Sequence, residues 1–496
     1  MPRTQRPPRQ PPRPRDTVDQ LREEIERLRR ERADLEGETT RLRRERDRLR
    51  EEVKRLTAAL ESAQRAAKRQ AAPFSKGTPT AQPKRPGRKP GPAYGRRAAR
   101  PRPTQIDERI IVPLPAACPH CAAQVQATHT VEQLQIDVPI IRPTVRAFEI
   151  EVGQCPQCGR RVQGRHPWQT SDAIGAAAVQ LGPQVLALTA TLHTALGVPF
   201  AKIARFLTTA FGFPVNRSTL CRALARLATR AGPTYTGLTE QVRASPHVSL
   251  DETGWKVAGA LEWLWVAVTP DTTVYRIQPG RGFEEAAALI GADYAGVLIR
   301  DGWAPYRQFE AADHQTCLAH LARRCHELIA MLAATTARWP RAIADLLQSA
   351  LALRDRAQAG GVSPRGLAIA TGQLLARLVR LLQVPVRHPA LVRLAKHLDT
   401  ELTALFTFLV VPNTDATTWR AEQAIRPAVI LRKVCGGNRT PDGARTHEVL
   451  ASVLQTAHQR GLDPHPILID LLHQPMPGPT PALLQASPSL PPASTR

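Results

Sequence analysis

Three acidic residues stand out because of where the chain puts them. PHVSLDET ends a short apolar run at Asp251, and GVLIRDGW ends another at Asp301. If both runs are strands of one sheet, their carboxylates reach the same end of it. Carboxylates held together repel, and their natural use is to share hard divalent cations. Holding two ions about 3.5–4 Å apart for in-line phosphoryl displacement needs a third acid. Glu422 in TTWRAEQAIRPAVILRK is the best candidate, with Arg420, Arg426, Arg432 and Lys433 on the same expected helix. Such positive charge suits DNA phosphates. An ordinary i,i+4 ion pair from Glu422 to Arg426 fits the same spacing. Asp251 and Glu252 are excluded as a glycosidase pair, because adjacent strand residues point to opposite faces.

The cysteines suggest a second kind of chemistry. Cys118-Pro-His-Cys121 and Cys155-Pro-Gln-Cys158-Gly are separated by 33 residues. Each CxxC turn aims two thiolates at one point, and four thiolates make a closed, structural Zn2+ site that does not catalyse. QLQIDVPI and RAFEIEVGQC between them alternate like strands of a small zinc ribbon; a redox role for one CxxC is the alternative. Cys317 and His320 have zinc-ligand spacing too, but no second ligand pair stands beside them, which favours an ordering role near the active site. Eight cysteines in 496 residues are too few for a disulfide scaffold and indicate a reduced compartment.

The elements that must position these groups follow from pattern. From residue 246 the order is three strands, helix, strand, helix, strand and then helices, a mixed α/β sheet whose first and fourth strands lie side by side. GWKVAGALEWLWVAVTPDTTVYRIQP supplies two of the strands around a turn, with Trp263 and Trp265 on one face. The 121 positions from Asp301 to Glu422 leave room for a helical insertion, roughly 326–410. Residues 175–245 read as an all-α segment. Within it, Pro199 suits a first helical position, Gly212 and Pro214 stop that helix, and Asn216 or Ser218 caps the next. Arg217, Arg222 and Arg226 are then exposed, the outline of a helix-turn-helix reader, or of two plainly packed helices.

Upstream, Leu21, Leu28, Leu35, Leu42, Leu49 and Leu56 recur every seventh residue. With these at d, Val18, Ile25, Val53 and Leu60 fall at a, while Arg32, Thr39 and Arg46 make the centre polar and favour a dimeric coiled coil. A Pro/Gly-rich basic strap follows, and its KRPGRKPG run offers Lys84, Arg85, Arg88 and Lys89 to a phosphate backbone or minor groove. The net charge is +25, and residues 1–103 hold 30 Lys and Arg against 14 Asp and Glu. Charge so distributed points to a polyanion, nucleic acid first. No run of about 18 apolar residues could span a membrane, and MPRTQRPPRQPPRPRD lacks a signal peptide's apolar segment. A soluble, intracellular protein of about three domains is expected.

HVSLDETGWKVAGALEWLWVAVT and GVLIRDGWAPYRQF resemble the central region of insertion sequence 66 family transposases. The zipper, the PG-rich strap, the paired CxxC, Cys317-Leu-Ala-His320 with Arg323 and Arg324, and VPNTDATTWRAEQAIRPAVILRKVCGGNRTPDGA continue that resemblance, in order, over most of residues 17–465. It implies an RNase H-like DDE catalytic core in which Asp251, Asp301 and Glu422 hold two Mg2+ or Mn2+ ions. It also implies cutting of element ends and joining of their 3′-OH to target DNA, a homodimer or higher oligomer through the coiled coil, possible accessory transposition proteins, and a cytoplasmic, nucleoid-associated location. Thr417-Thr418 stand where the family usually has paired Asn, and Glu422-Gln423 where Glu-Arg is usual. These departures leave open a catalytically inactive, transposase-derived dimeric DNA-binding protein. The expected organisation is a basic tail (1–16), coiled coil (17–70), basic linker (71–105), zinc-binding domain (106–170), helix-turn-helix-like segment (171–245), DDE domain with its insertion (246–465) and a tail (466–496), disordered from about 475.

Overall fold

The computed structural model describes residues 14–70, 102–138, 141–170, 172, 180–474 and 477–485. Lys84, Arg85, Arg88 and Lys89 lie outside these, as do most of the basic strap and the last eleven residues. The chain divides into two compact units, Met1–Val131 and Glu132–Arg496.

In the first unit, helix α1 runs from Pro14 to Gln70. Leu28, Leu35, Leu42 and Leu49 form an exposed seam along it, 51–57% accessible. Residues 102–131 have no regular element among those described, apart from the turn that carries Cys118 and Cys121.

The second unit begins with a short antiparallel hairpin, β1 (Val152–Gln154) and β2 (Arg161–Gln163). The strands expected from QLQIDVPI and from the start of RAFEIEVGQC are not formed among the described residues. Ile136 and Val138 of the first segment are 76–78% exposed. Alternation alone does not make a strand where no neighbour takes its backbone hydrogen bonds or covers its apolar face.

Helices α2 (Pro183–Ala190), α3 (Phe200–Phe211) and α4 (Arg217–Ala244) follow. Pro199 is the cap of α3 rather than its first residue, Gly212 ends it in the left-handed conformation, and Asn216 precedes α4. Arg217, Arg222 and Arg226 are exposed on α4. The helix passes through Pro233 and buries Leu220, Leu224, Leu227, Leu238 and Val242 in the same cluster as Val248, Leu250 and Trp265 of the sheet. The helical segment and the sheet therefore share one core.

The sheet comprises β3 (His247–Val257), β4 (Ala260–Val268), β5 (Thr273–Gln278), β6 (Val297–Arg300) and β7 (Asp313–Thr316), with α5 (Phe283–Ile290) before β6. Its order is β5-β4-β3-β6-β7: β3, β4 and β5 are antiparallel neighbours, and β3, β6 and β7 run parallel. The first and fourth strands are thus adjacent, as expected. Trp263 and Trp265 share a face, and Trp265 is wholly buried.

Helices α6 (Leu318–Met331), α7 (Arg338–Gln358), α8 (Pro364–Leu382), α9 (Pro389–Thr400) and α10 (Thr407–Val410) form the insertion, with a cluster of their own around Ile343, Leu346, Leu394 and Leu398. The chain returns through α11 (Trp419–Cys435), α12 (Pro441–Gln459) and α13 (Pro464–His473). Ala421, Ala424, Ile425 and Ala428 of α11 pack on Trp255, Leu264 and Val266, the sheet face opposite α4.

The β5 edge is closed by α12. Thr456 Oγ1, Ser452 Oγ and Glu448 Oε1 accept from the backbone N–H of Thr273, Tyr275 and Ile277 at 3.1, 2.9 and 2.7 Å. Four residues of helix rise about 6 Å and two of strand about 6.6 Å, so the two periods stay in step over this stretch. Edge N–H groups that could otherwise recruit another strand are satisfied.

Candidate active site

Strand register brings the first two acids together. Ser249 pairs with Ile299 in the parallel ladder, and β6 ends at Arg300. Two residues further on each chain stand Asp251 and Asp301. Asp251 shares its strand face with Trp255 and Val257, which pack on α11. Its Oδ1 accepts the Glu252 N–H at 2.9 Å, and Asp301 Oδ1 accepts the Trp303 N–H at 2.8 Å. Both carboxylates are therefore oriented by their own backbone. Burial, the neighbouring Glu252 and then Asp301 push the Asp251 carboxyl up to about 7, against the backbone hydrogen bond and His320, which lower it.

Asp301 is held from below by a buried ionic knot. Arg300, 2% exposed, pairs with Glu401, which also accepts from Thr316 Oγ1 at 2.5 Å and Arg307 Nη1 at 2.9 Å. Burial would raise the Glu401 carboxyl, but Arg300, Thr316 and Arg307 together hold it below its usual value. Glu401 closes α9, so the insertion is locked to the strand that delivers Asp301. The α9 residue His397 lies so close that a Cβ on Gly302 would come within 2.1 Å of its ring. Only glycine permits that approach next to Asp301.

Glu422 enters in the first turn of α11, and both ends of that helix are fastened. At the start, Thr418 donates its N–H and Oγ1–H to Cys317 Sγ, each at 3.3 Å, while Leu318 N bonds Ala416 O at 3.0 Å. Past its C-terminus, Asn438 N donates to Lys256 O at 2.8 Å, Ala258 N donates to Asn438 O at 3.0 Å, and Trp255 Nε1 donates to Asn438 Oδ1 at 2.7 Å. Gly437, with φ +98, passes Lys256 O where a Cβ would sit at 2.3 Å. This glycine clip ties α11 to the strand bearing Asp251.

His320 stands beside Glu422. It lies 3.8 Å from Glu422 Oε1 and acts electrostatically on Asp251. The adjoining Cys317 side chain raises the His320 imidazole, burial lowers it, and Glu422 raises it further. Burial opposes ionisation of the Cys317 thiol, but His320 and Thr418 outweigh it and hold the thiol below its ordinary value. Ligand atoms of Cys317, His320 and Glu422 all lie within 4.8 Å of one another.

The remaining candidates are placed as follows. Arg426 is exposed and donates to Gln423 Oε1 at 3.4 Å. Arg432 turns inward, donating to Thr253 Oγ1 at 3.1 Å and to Gly254 O. Lys433 is exposed on the last turn of α11. In the Cys118 turn, Ala122 N donates to Cys118 O at 2.8 Å with Ala122 at φ +59. In the Cys155 turn, Gly159 N donates to Cys155 O at 2.9 Å with Gly159 at φ +66. Both turns share one local conformation, and backbone N–H groups lower the first thiol in each.

Glu401 and the pair Arg281 and Tyr306 on Glu252 were not singled out from sequence, and Thr418 was noted only as a departure from the family's paired Asn. Arg300 ending an otherwise apolar strand is the one available signal, since a buried guanidinium demands an acid; nothing local identifies Glu401 as that acid.

Among the described residues no helix is long and apolar enough to cross a membrane. The model of the transposase IS66 family matches residues 178–446, more than half of the chain. An uncharacterized protein y4jD of Sinorhizobium fredii (strain NBRC 101917 / NGR234) is 25% identical over 408 residues, covering 75% of this chain and 77% of the relative. A second, y4qI of the same organism, is 24% identical over 281 residues, covering 51% of this chain and 52% of that relative. The chain belongs to the transposase IS66 family.

Proposed function

We propose that the protein is a DDE transposase that cuts the ends of an insertion sequence and joins the freed 3′-OH to target DNA. The observation that carries this reading is the parallel register that aligns Asp251 with Asp301, with Glu422 brought in beside His320 on a helix fastened at both ends. A strand order of three antiparallel strands continued by two parallel ones supports an RNase H-like core.

The donor set fits Mg2+ or Mn2+. Clustered carboxylates, one of them pushed up by burial and by its acidic neighbours, leave negative charge that a hard divalent cation would neutralise. Bound by Asp251, Asp301 and Glu422, two such ions would stabilise charge on the attacking and leaving oxygens of an in-line displacement. The chain's own contribution is orientation: backbone amides aim the two aspartates, the Arg300–Glu401 knot fixes the Asp301 loop, and His320 steadies Glu422. Exposed Arg426 and Lys433 extend from the same helix towards DNA phosphates. Arg217 and Arg222, at the exposed start of α4, suit end-specific contacts. The leucine seam of α1 lacks a covering surface within its own helix, which supports self-association as a coiled coil. Within each CxxC turn, Cys118 with Cys121 and Cys155 with Cys158, the lowered first thiol suits a metal-ligating thiolate.

A supercoiled plasmid carrying the element's ends, incubated with protein and Mg2+, tests the reading. Nicking at the ends is expected. Binding without nicking would leave the inactive DNA-binding protein as the correct description.

A further inference from the structure

Cys317, His320 and Glu422 differ in chemical character from the aspartate pair. Their sulfur, imidazole nitrogen and carboxylate oxygen lie within 4.8 Å of one another. Tetrahedral coordination at Zn–S ~2.3 Å and Zn–N or Zn–O ~2.0–2.1 Å places ligand atoms roughly 3.3–3.6 Å apart, so small side-chain adjustments close the set. The His320–Glu422 separation of 3.8 Å is already near that spacing.

Two further features prepare the cluster. Cys317 and His320 are one helical turn apart at the start of α6, so they lie on one side of it. Thr418 directs both an N–H and a hydroxyl at the sulfur, the supporting contacts that orient a metal-bound thiolate. A thiolate and an imidazole select a soft or borderline ion over Mg2+, which requires oxygen ligands. Three protein ligands leave a fourth position open to water.

We propose that Cys317, His320 and Glu422 bind one Zn2+ ion, and that filling this site holds Glu422 away from Asp251 and Asp301 and switches the enzyme off. The site stands on its own geometry; the inhibition rests on the reading of Glu422 as the third catalytic acid. Soft-metal availability would thereby govern the activity of the core.

The test uses the full chain and two readouts. The protein is equilibrated with Co2+ as a Zn2+ substitute, freed of excess metal and analysed for metal content and for sulfur-to-cobalt charge-transfer absorption. The wild type is expected to retain one equivalent more than Cys317→Ser and than His320→Asn, the other cysteines being common to all three. Equal metal content in wild type and both variants would overturn the site. In the second readout, nicking at fixed Mg2+ is titrated with Zn2+. Wild-type nicking should fall more than about tenfold and recover with a zinc chelator, and in Cys317→Ser the fall should shrink below about twofold. Retained nicking at full occupancy would overturn the switch while leaving the site intact. A wild type that never nicks with Mg2+ alone would refute the proposed function and still leave the metal count to decide the site.

Discussion

Asp251 and Glu252 are consecutive on one strand, yet they live in opposite electrostatic surroundings. Glu252, 8% exposed, faces the α4 side, where Arg281 pairs with it and the Tyr306 hydroxyl donates to it. Burial raises its carboxyl, and those two partners pull it back. Asp251 faces the α11 side, and the first contributions after its burial come from another acid and its own backbone. Glu401 repeats the Glu252 solution with two arginines and a threonine. An acid compensated inside the protein is part of the scaffold. An acid left beside other acids stores unfavourable charge that a bound cation relieves, and that contrast separates the groups holding this molecule together from those held ready for chemistry.

The contrast breaks most visibly in activity. Asp251→Asn should cut plasmid nicking on the order of 10³-fold or more, whereas Glu252→Gln should keep measurable nicking and lose thermal stability instead. Similar losses of nicking in both, with no change in melting, would erase the distinction. The next largest effect is on folding: Glu401→Ala strands Arg300 in the interior and should cost about 3–5 kcal/mol in denaturant unfolding. A loss no larger than an exposed ion pair would show that the knot is not buried in solution.

The smallest effect is in pH dependence. Asp251 holds its proton more tightly folded, at about 7, than at its ordinary value of 3.8. Its contribution to stability is therefore fully present below 3.8 and is lost as the pH rises through about 7. Metal-free protein should melt at a lower temperature at pH 8 than at pH 6, and Asp251→Asn should lose that part of the difference. Mg2+ should accordingly raise the wild-type melting temperature more at pH 8 than at pH 6. Equal gains at both values would place Asp251 outside the cation site.

Much of this arrangement was legible in the chain because it is local. Two apolar runs, each ending in Asp, announce adjacent strands whose aspartates align just past the end of β6, although β3 runs on to Val257, and Gly212 marks its helix stop without outside help. The CGGN run after α11 was visible too, but its partner, the carbonyl of Lys256, lies about 180 residues away and carries no pattern. Glu401 was illegible for the same reason: one acid near the end of an insertion looks like any exposed helix terminus until Arg300 meets it. The segments before Val152 failed in the other direction, since alternating residues promise a strand only where another strand lies alongside. Thr418 stands where the family usually has Asn, and here its N–H and hydroxyl both go to Cys317, a role that no spacing rule suggests.

The most direct test is the anomalous scattering of Mn2+ soaked into crystals of the full-length protein. Two peaks are expected, bounded by the carboxylates of Asp251, Asp301 and Glu422, and both should weaken in Asp301→Asn. Mn2+ bound elsewhere, or bound by the two aspartates with Glu422 turned away and no other acid in its place, would contradict two-ion catalysis by these three residues.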